Sequence, residues 1–371
     1  MLKRSILAIS VVGALAALAA CGSAHHTAYI TTPLNSSVSA FRVENHTGRF
    51  TQIPGSPYQA GISPSVILIH PNHKFAYVSN GGGNDISLFK IASNFALTEI
   101  MPRTPAGTNP SSMALDAAAK FLYVCNSGYI GGVASNTVSV YSVDGTSGAL
   151  SEVGNPVNVG NNPVFLTLSP TGKFLYVANG AGGTISGFAV DSSGGLTQVP
   201  GSPFVLSSGG SGTQGPGPNW IAIDPTEKFL YVANLLSSNV GAYTINGANG
   251  SLTAIAGQPF TAGTAPSSLA FDKSGTYLYV SNLTSNNVSA FIIGNTGIPR
   301  QLSGSPYSAG NNPAFLQLDP SGQFLFAGTQ ASAVGGTRQI ISFTINASSG
   351  QLTPQVGSNL ASTPTSLAVL K

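Results

Sequence analysis

The sequence contains few ionisable side chains, and few of those stand where they could act together. Its 371 residues include 14 lysines and arginines, 11 aspartates and glutamates and five histidines. His70 and His73 could share a metal ion, but a hairpin without a third ligand is more typical of solvated polar surface. No nucleophile elbow, phosphate-binding loop or Cys-Xaa-Xaa-Cys pair is present. We therefore expect no metal and no cofactor.

Three charged residues remain as candidates for acid–base chemistry: Asp85, Arg103 and Arg338. Most other acidic residues stand in predicted turns, where a carboxylate can accept hydrogen bonds from the backbone of the next hairpin. Four of them end predicted strands, namely Asp116, Asp224, Asp272 and Asp319. Four lysines occupy the same kind of hairpin, namely Lys74, Lys120, Lys173 and Lys228. A structural role is the better interpretation for both sets.

One repeated unit of four short strands would position these residues. Within residues 161–203 the strands are predicted at 164–169, 174–179, 184–190 and 196–199, separated by turns rich in Gly, Pro, Asn and Ser. The unit occurs seven times at spacings of 46–55 residues, each marked by an aromatic residue in its second strand. The markers are Tyr29, Tyr77, Tyr123, Tyr176, Tyr231, Tyr279 and Phe326. Such a period predicts an all-β, seven-bladed β-propeller with four-stranded blades.

The two ends of the chain complete each other. The first strand of each unit follows a proline, but the N-terminal unit lacks this strand. Residues 364–370 supply a matching piece after Pro364. We predict one domain, residues 26–371, in which a C-terminal innermost strand and three N-terminal strands close the ring without an open sheet edge.

Residues 1–20 read as a lipoprotein signal peptide. Lys3 and Arg4 precede an apolar run that is short for a membrane span, and the run ends in a lipobox-like Leu-Ala-Ala-Cys-Gly at Cys21. We expect a lipid on Cys21 and a short tether over residues 21–25. This predicts a membrane-anchored protein of the bacterial cell envelope, at the outer membrane in a Gram-negative organism. An ordinary signal peptide or an uncleaved anchor is the alternative.

Composition agrees with an exported chain. Only 7% of residues are charged, against roughly 25% in an ordinary globular domain. The net charge of +3 falls by two without Lys3 and Arg4, so no basic field is present that would attract nucleic acid. Cys125 is the remaining thiol after Cys21, and we expect it to be a buried small apolar residue without a disulfide.

The repeats resemble the lactonase β-propellers, a family that includes 6-phosphogluconolactonases and carboxymuconate-cyclising enzymes and grades into YVTN-repeat surface propellers. The resemblance rests on a proline-headed first strand, followed by Lys-Phe-Leu-Tyr-Val-Ala-Asn at 173–179 and again at 228–234. It covers nearly all of residues 26–371. It implies the propeller fold, and an activity that depends on Arg, His and Glu at the mouth of the channel.

This sequence departs from the motifs that the resemblance associates with activity. Where Pro-Arg-His is typical, Pro163 is followed by Val164 and Phe165, and where Asn-Glu is typical, Asn179 is followed by Gly180. The other blades are equally neutral. Asp85, Arg103 and Arg338 are the charged residues on loops that we place at this rim, and we place them in different blades. Two lengthened loops, 129–135 and 207–218, are predicted at the same rim.

Two functions are compatible with this pattern. The first is a binding module without catalysis, which takes a glycan, small molecule or protein at a neutral channel mouth. Its candidate contacts are Asn109, Tyr129, Asn162, Asn219, Trp220 and Asn312. The second is a divergent, 6-phosphogluconolactonase-like lactone hydrolase that uses Asp85, Arg103 or Arg338. Asn before Pro also favours plain turn geometry, and Trp220 could simply pack between blades. Because the catalytic motifs are missing, we favour binding over catalysis.

Overall fold

The structure, a computed structural model, describes residues 25–128, 135–207, 215–330 and 338–370. These residues form seven antiparallel sheets, and the first strands of successive sheets contact one another around a ring. The fold is therefore the predicted all-β, seven-bladed propeller. We number the blades 1 to 7 by the order of their second strands along the chain.

The first strands line the central channel, and six of the seven begin at the proline that the sequence indicated. In the order of blades 1 to 7 they are Ser366–Leu370, Pro64–Ile69, Pro110–Leu115, Pro163–Leu168, Pro218–Ile223, Pro266–Phe271 and Pro313–Leu318. The second strands, in the same order, are His25–Thr32, Phe75–Asn80, Phe121–Asn126, Phe174–Asn179, Phe229–Asn234, Tyr277–Asn282 and Phe324–Thr329.

The outer half of each blade is a third strand paired with a shorter fourth one. The third strands are Ser37–Glu44, Asp85–Ile91, Thr137–Val143, Thr184–Val190, Asn239–Ile245, Asn287–Ile293 and Gln339–Ile345. The fourth strands are Phe50–Gln52, Leu97–Pro105, Leu150–Glu152, Leu196–Gln198, Leu252–Ala254, Pro299–Gln301 and Leu352–Pro354. In every blade except blade 2 a further two-residue strand extends this edge, at Tyr58–Gln59, Val157–Asn158, Phe204–Val205, Phe260–Thr261, Tyr307–Ser308 and Ser358–Asn359.

Blade 1 closes the ring as predicted. Its first strand is C-terminal and pairs antiparallel with the N-terminal strand His25–Thr32, so that Tyr29 lies opposite Ala368. The strands predicted in blade 4 also agree with the structure to within one residue at each end. The helical element of the described residues is the 3₁₀ turn Pro33–Asn35, and none of these residues belongs to an apolar helix long enough to cross a membrane.

The core consists of seven apolar clusters, one at each interface between neighbouring blades of the described chain. The cluster between blades 3 and 4, for example, joins Tyr123 and Cys125 to Leu166 and Phe188. All seven aromatic markers are fully buried at such interfaces. The repetition places one face of each blade against the next, so the core grows with the number of blades instead of with the thickness of any one layer.

Two rims follow from this topology. We call the end where the first strands begin and the second strands finish the mouth rim. The opposite end, which carries the hairpins between first and second strands, is the base rim. Asp116, at the base rim, accepts hydrogen bonds from the backbone N–H groups of Lys120 and Phe121 at 2.6 and 2.7 Å. The structural role expected for this carboxylate is confirmed.

Candidate functional site

A cavity of about 510 Å³ lies at the mouth rim, in the centre of the ring. All seven first strands contribute to its wall, together with the residues that directly follow three second strands. The lining residues are Ser65, Val66, Ile67, Leu68, Ser111, Ser112, Met113, Val164, Phe165, Asn219, Trp220, Leu235, Ser267, Leu283, Ala314, Phe315, Leu316, Gln317, Gln330, Thr365, Ser366 and Leu367. Its size is ordinary for a small-molecule site.

Side chains at the head of the first strands tie neighbouring blades together around this cavity. Asn219 Nδ2 donates to the backbone carbonyl of Ser267 at 2.7 Å, and Ser267 Oγ donates to the Pro313 carbonyl at 2.8 Å. Ser111 Oγ donates to the Pro163 carbonyl at 3.2 Å. These bonds satisfy backbone acceptors that a channel wall would otherwise leave without a partner. They also fix the Asn219 amide at the cavity surface.

Two stacked aromatic rings form part of the wall. The rings of Phe165 and Trp220 have centroids 3.9 Å apart and planes 24° from parallel, and both side chains are only half-buried. Trp220 also packs against the cluster of blades 5 and 6, which contains Leu269, and against the cluster of blades 7 and 1, which contains Phe315. The indole therefore reaches from blade 5 towards the far side of the channel and presents an aromatic surface to the cavity.

The lining that the structure describes contains no aspartate, glutamate, histidine, lysine, arginine, cysteine or tyrosine. The positions that carry Arg and His in the motifs of the resemblance are Val164 and Phe165 in blade 4, and Asn219 and Trp220 in blade 5. The position after the second-strand asparagine is Leu235 in blade 5 and Leu283 in blade 6. The cavity is thus built at the expected positions but from neutral residues.

Asp85 and Arg103 lie outside the cavity wall. Asp85 begins a third strand, and its Oδ1 accepts a 2.6 Å hydrogen bond from Asn80 Nδ2 at the end of the second strand. Arg103 binds Glu99 through two contacts, Nε to Oε1 at 2.7 Å and Nη2 to Oε2 at 3.2 Å. The hydrogen bond with Glu99 raises the pKa of Arg103, with a smaller contribution from Asp85.

The prediction that these charges belong to different blades was wrong for this pair, because Asp85 and Arg103 both lie in blade 2. Arg103 lies in the fourth strand of that blade, before Pro110 begins blade 3. Blades 1, 3, 4, 5 and 6 interrupt this edge at a glycine with a left-handed backbone, such as Gly201 with φ of 82°. Blade 2 has Met101-Pro102 in this region, and its fourth strand, Leu97–Pro105, continues as far as the first residue of the third strand, where Pro105 lies opposite Asp85.

Arg338 lies in blade 7 directly before the third strand, Gln339–Ile345, and does not line the cavity either. Its Nε donates to Thr363 Oγ1 at 3.0 Å, and its carbonyl accepts from the N–H of Leu360. The arginine thereby holds the segment that leads into the closing strand of blade 1. The structure does not bring Asp85, Arg103 and Arg338 together.

Three asparagines singled out by sequence occupy turns beside the cavity and are not part of its lining. Asn109, Asn162 and Asn312 each precede a strand-heading proline with a left-handed φ of 51°, 52° and 47°. Their N–H groups donate to side-chain oxygens of Asn84, Asn136 and Asn286, respectively. In the other proline-headed strands Ser63, Gly217 and Ala265 adopt the same backbone conformation without an asparagine. Turn geometry explains these residues, since asparagine tolerates this region.

Tyr129 and most of the two lengthened loops lie outside the described residues. Among the ranges that are described, no three His, Cys, Asp or Glu side chains come together as a metal-binding group. Cys125 is fully buried, and burial raises the pKa of its thiol to about 12. Of the six ligand-binding candidates, Asn219 and Trp220 line the cavity.

Sequence reasoning missed Phe315, which lines the cavity together with Phe165 and Trp220 and comes from the repeat of blade 7. The signal was available, since Phe315 is the second residue after Pro313, as Phe165 and Trp220 are after their own prolines. Gly328 on the paired strand makes room for the ring, because a Cβ there would lie 2.1 Å from Phe315 Cε1. The aromatic residues of the wall therefore come from one repeated position in blades 4, 5 and 7.

Fold and site together define a seven-bladed propeller with a small-molecule cavity at the mouth of its channel. The sequence matches the family described as "Lactonase, 7-bladed beta-propeller" over residues 19–161, 127–211, 166–306 and 211–369. The chain belongs to this lactonase family, as the repeats indicated.

Individual relatives carry names from lactone chemistry. The 6-phosphogluconolactonase of Bacillus subtilis (strain 168) is 26% identical over 161 residues, a match that spans 41% of this chain and 44% of that protein. The solved periplasmic gluconolactonase of Pseudomonas aeruginosa is 18% identical, with a TM-score of 0.77 over 94% of this chain and 99% of that one. A Bacteroides uniformis protein proposed to be a 6-phosphogluconolactonase is 18% identical, with a TM-score of 0.78 over 93% and 99%. The two structural likenesses show the fold.

These findings contradict the function that we favoured from sequence. A binding module without catalysis was the main prediction, because the charged motifs were missing. The matched family is a lactonase family, and the relatives above are named for hydrolysis of lactones. The alternative, a lactone hydrolase, is the better supported interpretation.

Proposed function

We propose that this protein is a lactone hydrolase whose reaction takes place in the mouth cavity. One observation carries the proposal: the positions that bear the functional motifs in lactonase propellers converge on a single cavity here, as Val164, Phe165 and Leu235 among others. Family membership supports the reaction class. The convergence of the motif positions on the mouth cavity supports this cavity as the place of the reaction.

The reaction needs little help from the protein. The oxygen of a water molecule bonds to the carbonyl carbon of the lactone, the ring C–O bond breaks, and the former ring oxygen takes up a proton. The product is a hydroxy acid that ionises in water. An activated ester of this kind also opens slowly in buffer, so a modest enhancement is a useful one.

Neutral donors can stabilise the oxyanion that forms in this reaction. Asn219 uses one amide N–H to bind the Ser267 carbonyl, which orients the amide at the cavity wall. Its second N–H and the indole N–H of Trp220 are the donors that we assign to the lactone carbonyl oxygen. Removing one such donor from an oxyanion hole typically costs about 10²–10³ in rate, so this is the scale of catalysis that we expect.

A neutral cavity also favours release of the product. The hydroxy acid is an anion at neutral pH, and the described lining offers no cation to replace its hydration. The uncharged lactone loses much less on entering. Binding therefore discriminates in favour of substrate without a dedicated charged group.

The test is hydrolysis of a lactone by the mature chain, residues 21–371 or a soluble form beginning at Gly22, against a buffer control, as a function of pH. Because the described lining contains no residue that titrates near neutrality, kcat/KM should rise steadily with hydroxide concentration, and its pH profile should not be bell-shaped. Asp85→Asn and Arg338→Gln are matched controls outside the cavity and should keep the activity. A bell-shaped profile that disappears in either variant would place the chemistry on those residues instead.

We also propose the orientation of the molecule at the membrane. His25 begins the second strand of blade 1 opposite Glu44, at the base rim. A chain from a lipidated Cys21 to His25 spans at most roughly 14 Å. Such a tether would hold the base rim towards the lipid surface. The mouth cavity would then open away from the membrane, towards diffusing substrate.

A further inference from the structure

The chemistry of the mouth cavity narrows the class of lactone that it can accept. This inference rests on the proposed function. Its starting point is that charge is missing from a site whose family relatives include a 6-phosphogluconolactonase. A phosphoryl group that leaves water needs cationic or strong neutral donors, and arginine is the usual choice because its planar fork binds two oxygens at once.

The two arginines considered as candidates for this site bind other residues outside the cavity. Arg103 is bound to Glu99, and Arg338 holds Thr363. The segments 129–134, 208–214 and 331–337, outside the described residues, contain no Lys, Arg or His in their sequence. The described lining and these three loop segments therefore provide no cation for a phosphate or carboxylate at this site.

What the wall provides instead is aromatic and aliphatic surface. Trp220 and Phe165 form a stacked pair, and Phe315 packs in the cluster that Trp220 reaches. Leu235 and Leu283 add apolar surface where the family motif has a glutamate. An aromatic face binds a flat apolar ring by stacking, at a gain of about tenfold beyond the area that is buried.

We infer that the preferred substrates are uncharged lactones that present an apolar or aromatic face to Trp220, with phosphorylated sugar lactones excluded. A ring fused to a lactone meets the stacked pair on its flat side, and its carbonyl oxygen meets the amide of Asn219. Polyhydroxylated but uncharged lactones are intermediate substrates, since they carry no charge but offer less apolar face.

Three lactones separate these features in one turnover experiment with the wild-type protein. Dihydrocoumarin is uncharged and aromatic, glucono-δ-lactone is uncharged and polar, and 6-phosphoglucono-δ-lactone adds a phosphate to the same sugar ring. We expect kcat/KM to fall in that order, by about tenfold or more at each step. A value for the phosphorylated lactone equal to or above that for glucono-δ-lactone would overturn the inference.

Single substitutions then test which residues produce the preference among these lactones. Trp220→Ala should lower kcat/KM for both uncharged lactones by about 10²–10³, because it removes an oxyanion donor, and about tenfold further for dihydrocoumarin, because it also removes the aromatic face. Trp220→Phe also loses the donor but should keep most of the preference for dihydrocoumarin. Met101→Ala removes an exposed apolar side chain outside the cavity and is the matched control. Val164→Arg introduces a cation at the cavity wall and should raise the relative rate with the phosphorylated lactone. Equal losses for both uncharged lactones in Trp220→Ala would contradict the stacking role.

Binding gives an independent readout, because Trp220 is the only tryptophan in the chain and its fluorescence reports on the cavity. Non-hydrolysable lactams matched to the three lactones should quench it in the same order. If no lactone is turned over but the aromatic lactam still binds best, the hydrolase proposal fails and the ligand class stands. If the phosphorylated lactam binds best, the inference about the ligand class is contradicted, whether or not turnover is seen.

Discussion

The hydroxyl of Ser342 donates a 2.7 Å hydrogen bond to the backbone carbonyl of Gly48, and this bond joins blade 7 to blade 1. At the other six interfaces the donor is the phenol of the second-strand tyrosine, such as Tyr279, which donates to the Gly350 carbonyl at 2.9 Å. Blade 7 has Phe326 at that position, directly opposite Ser342 on the third strand. The hydroxyl is therefore retained but is supplied by the neighbouring strand.

The exchange between Phe326 and Ser342 can be tested by reversing it. Ser342→Ala should lower the free energy of unfolding by roughly 1–2 kcal/mol, because a buried carbonyl loses its donor. Adding Phe326→Tyr should recover most of that loss, since the tyrosine can reach the same carbonyl from the position used in the other blades. Urea unfolding measures both effects. Tyr279→Phe, which lacks a compensating serine, is the control and should show an unrescued loss. A double variant no more stable than Ser342→Ala would contradict this account.

Closure of the ring depends on the C-terminal strand. Deletion of residues 364–371 removes Ser366–Leu370, which pairs with residues 27–31 and buries Leu367 and Leu370. Blade 1 then exposes the edge of its second strand, and the two neighbouring blades expose apolar surface, so we expect a much lower melting temperature or aggregation. Removal of Lys371 alone is the matched control. An unchanged melting curve after the longer deletion would show that this strand does not close the ring.

Alkaline pH should unfold the protein through its buried tyrosines. Burial raises the pKa of six second-strand phenols well above the ordinary value of about 10, among them Tyr29, Tyr77 and Tyr176. Above about pH 10 the tyrosines of the unfolded chain lose protons that those of the folded chain keep. The free energy of unfolding therefore falls as pH rises, by up to about 1.4 kcal/mol per pH unit for each tyrosine. Tyrosinate absorbance and circular dichroism should change together in one transition. Full ionisation with the fold intact would refute the prediction.

Much of the fold is readable from sequence because each blade is specified locally. Alternating apolar residues mark each strand, and Gly, Pro and Asn mark the turns between strands. The same pattern occurs seven times, so each occurrence supports the others. The exchange between Phe326 and Ser342 could not be read this way. It depends on the register between two strands, and on a carbonyl nearly 300 positions away in the chain.

The candidate site was predictable in position and in its neutrality, but less so in its chemistry. The proline-headed strands gave Asn219 and Trp220, which line the cavity. The asparagines before proline looked like ligand contacts because sequence shows a side chain but not its backbone conformation, and a left-handed φ accounts for Asn109 without a ligand. The relation of Asp85 to Arg103 was misjudged, although Arg103 precedes Pro110, the residue at which blade 3 begins. Function was misjudged because missing charges were taken to mean missing catalysis.

Anchoring by Cys21 remains a prediction from sequence. If the lipid is present, wild-type protein should fractionate with membranes and Cys21→Ser should be soluble after the same lysis. Protease added to sealed vesicles or cells would then report which rim is accessible, since the tether joins blade 1 at the base rim. Membrane association of Cys21→Ser that survives a high-salt wash would contradict lipid anchoring. Cys125→Ser is the matched control, because that thiol is fully buried.

The most direct test of the central claim is to fill the mouth cavity and measure lactone hydrolysis. Ala314 lies in the cavity wall, and Ala314→Trp should occupy the space in which we place the substrate. Met101→Trp adds the same side chain at an exposed position outside the wall and is the control. With melting temperatures matched, the account predicts that Ala314→Trp hydrolyses dihydrocoumarin no faster than buffer, whereas Met101→Trp matches wild type. Equal turnover in both variants, or none in the wild-type protein, would contradict it.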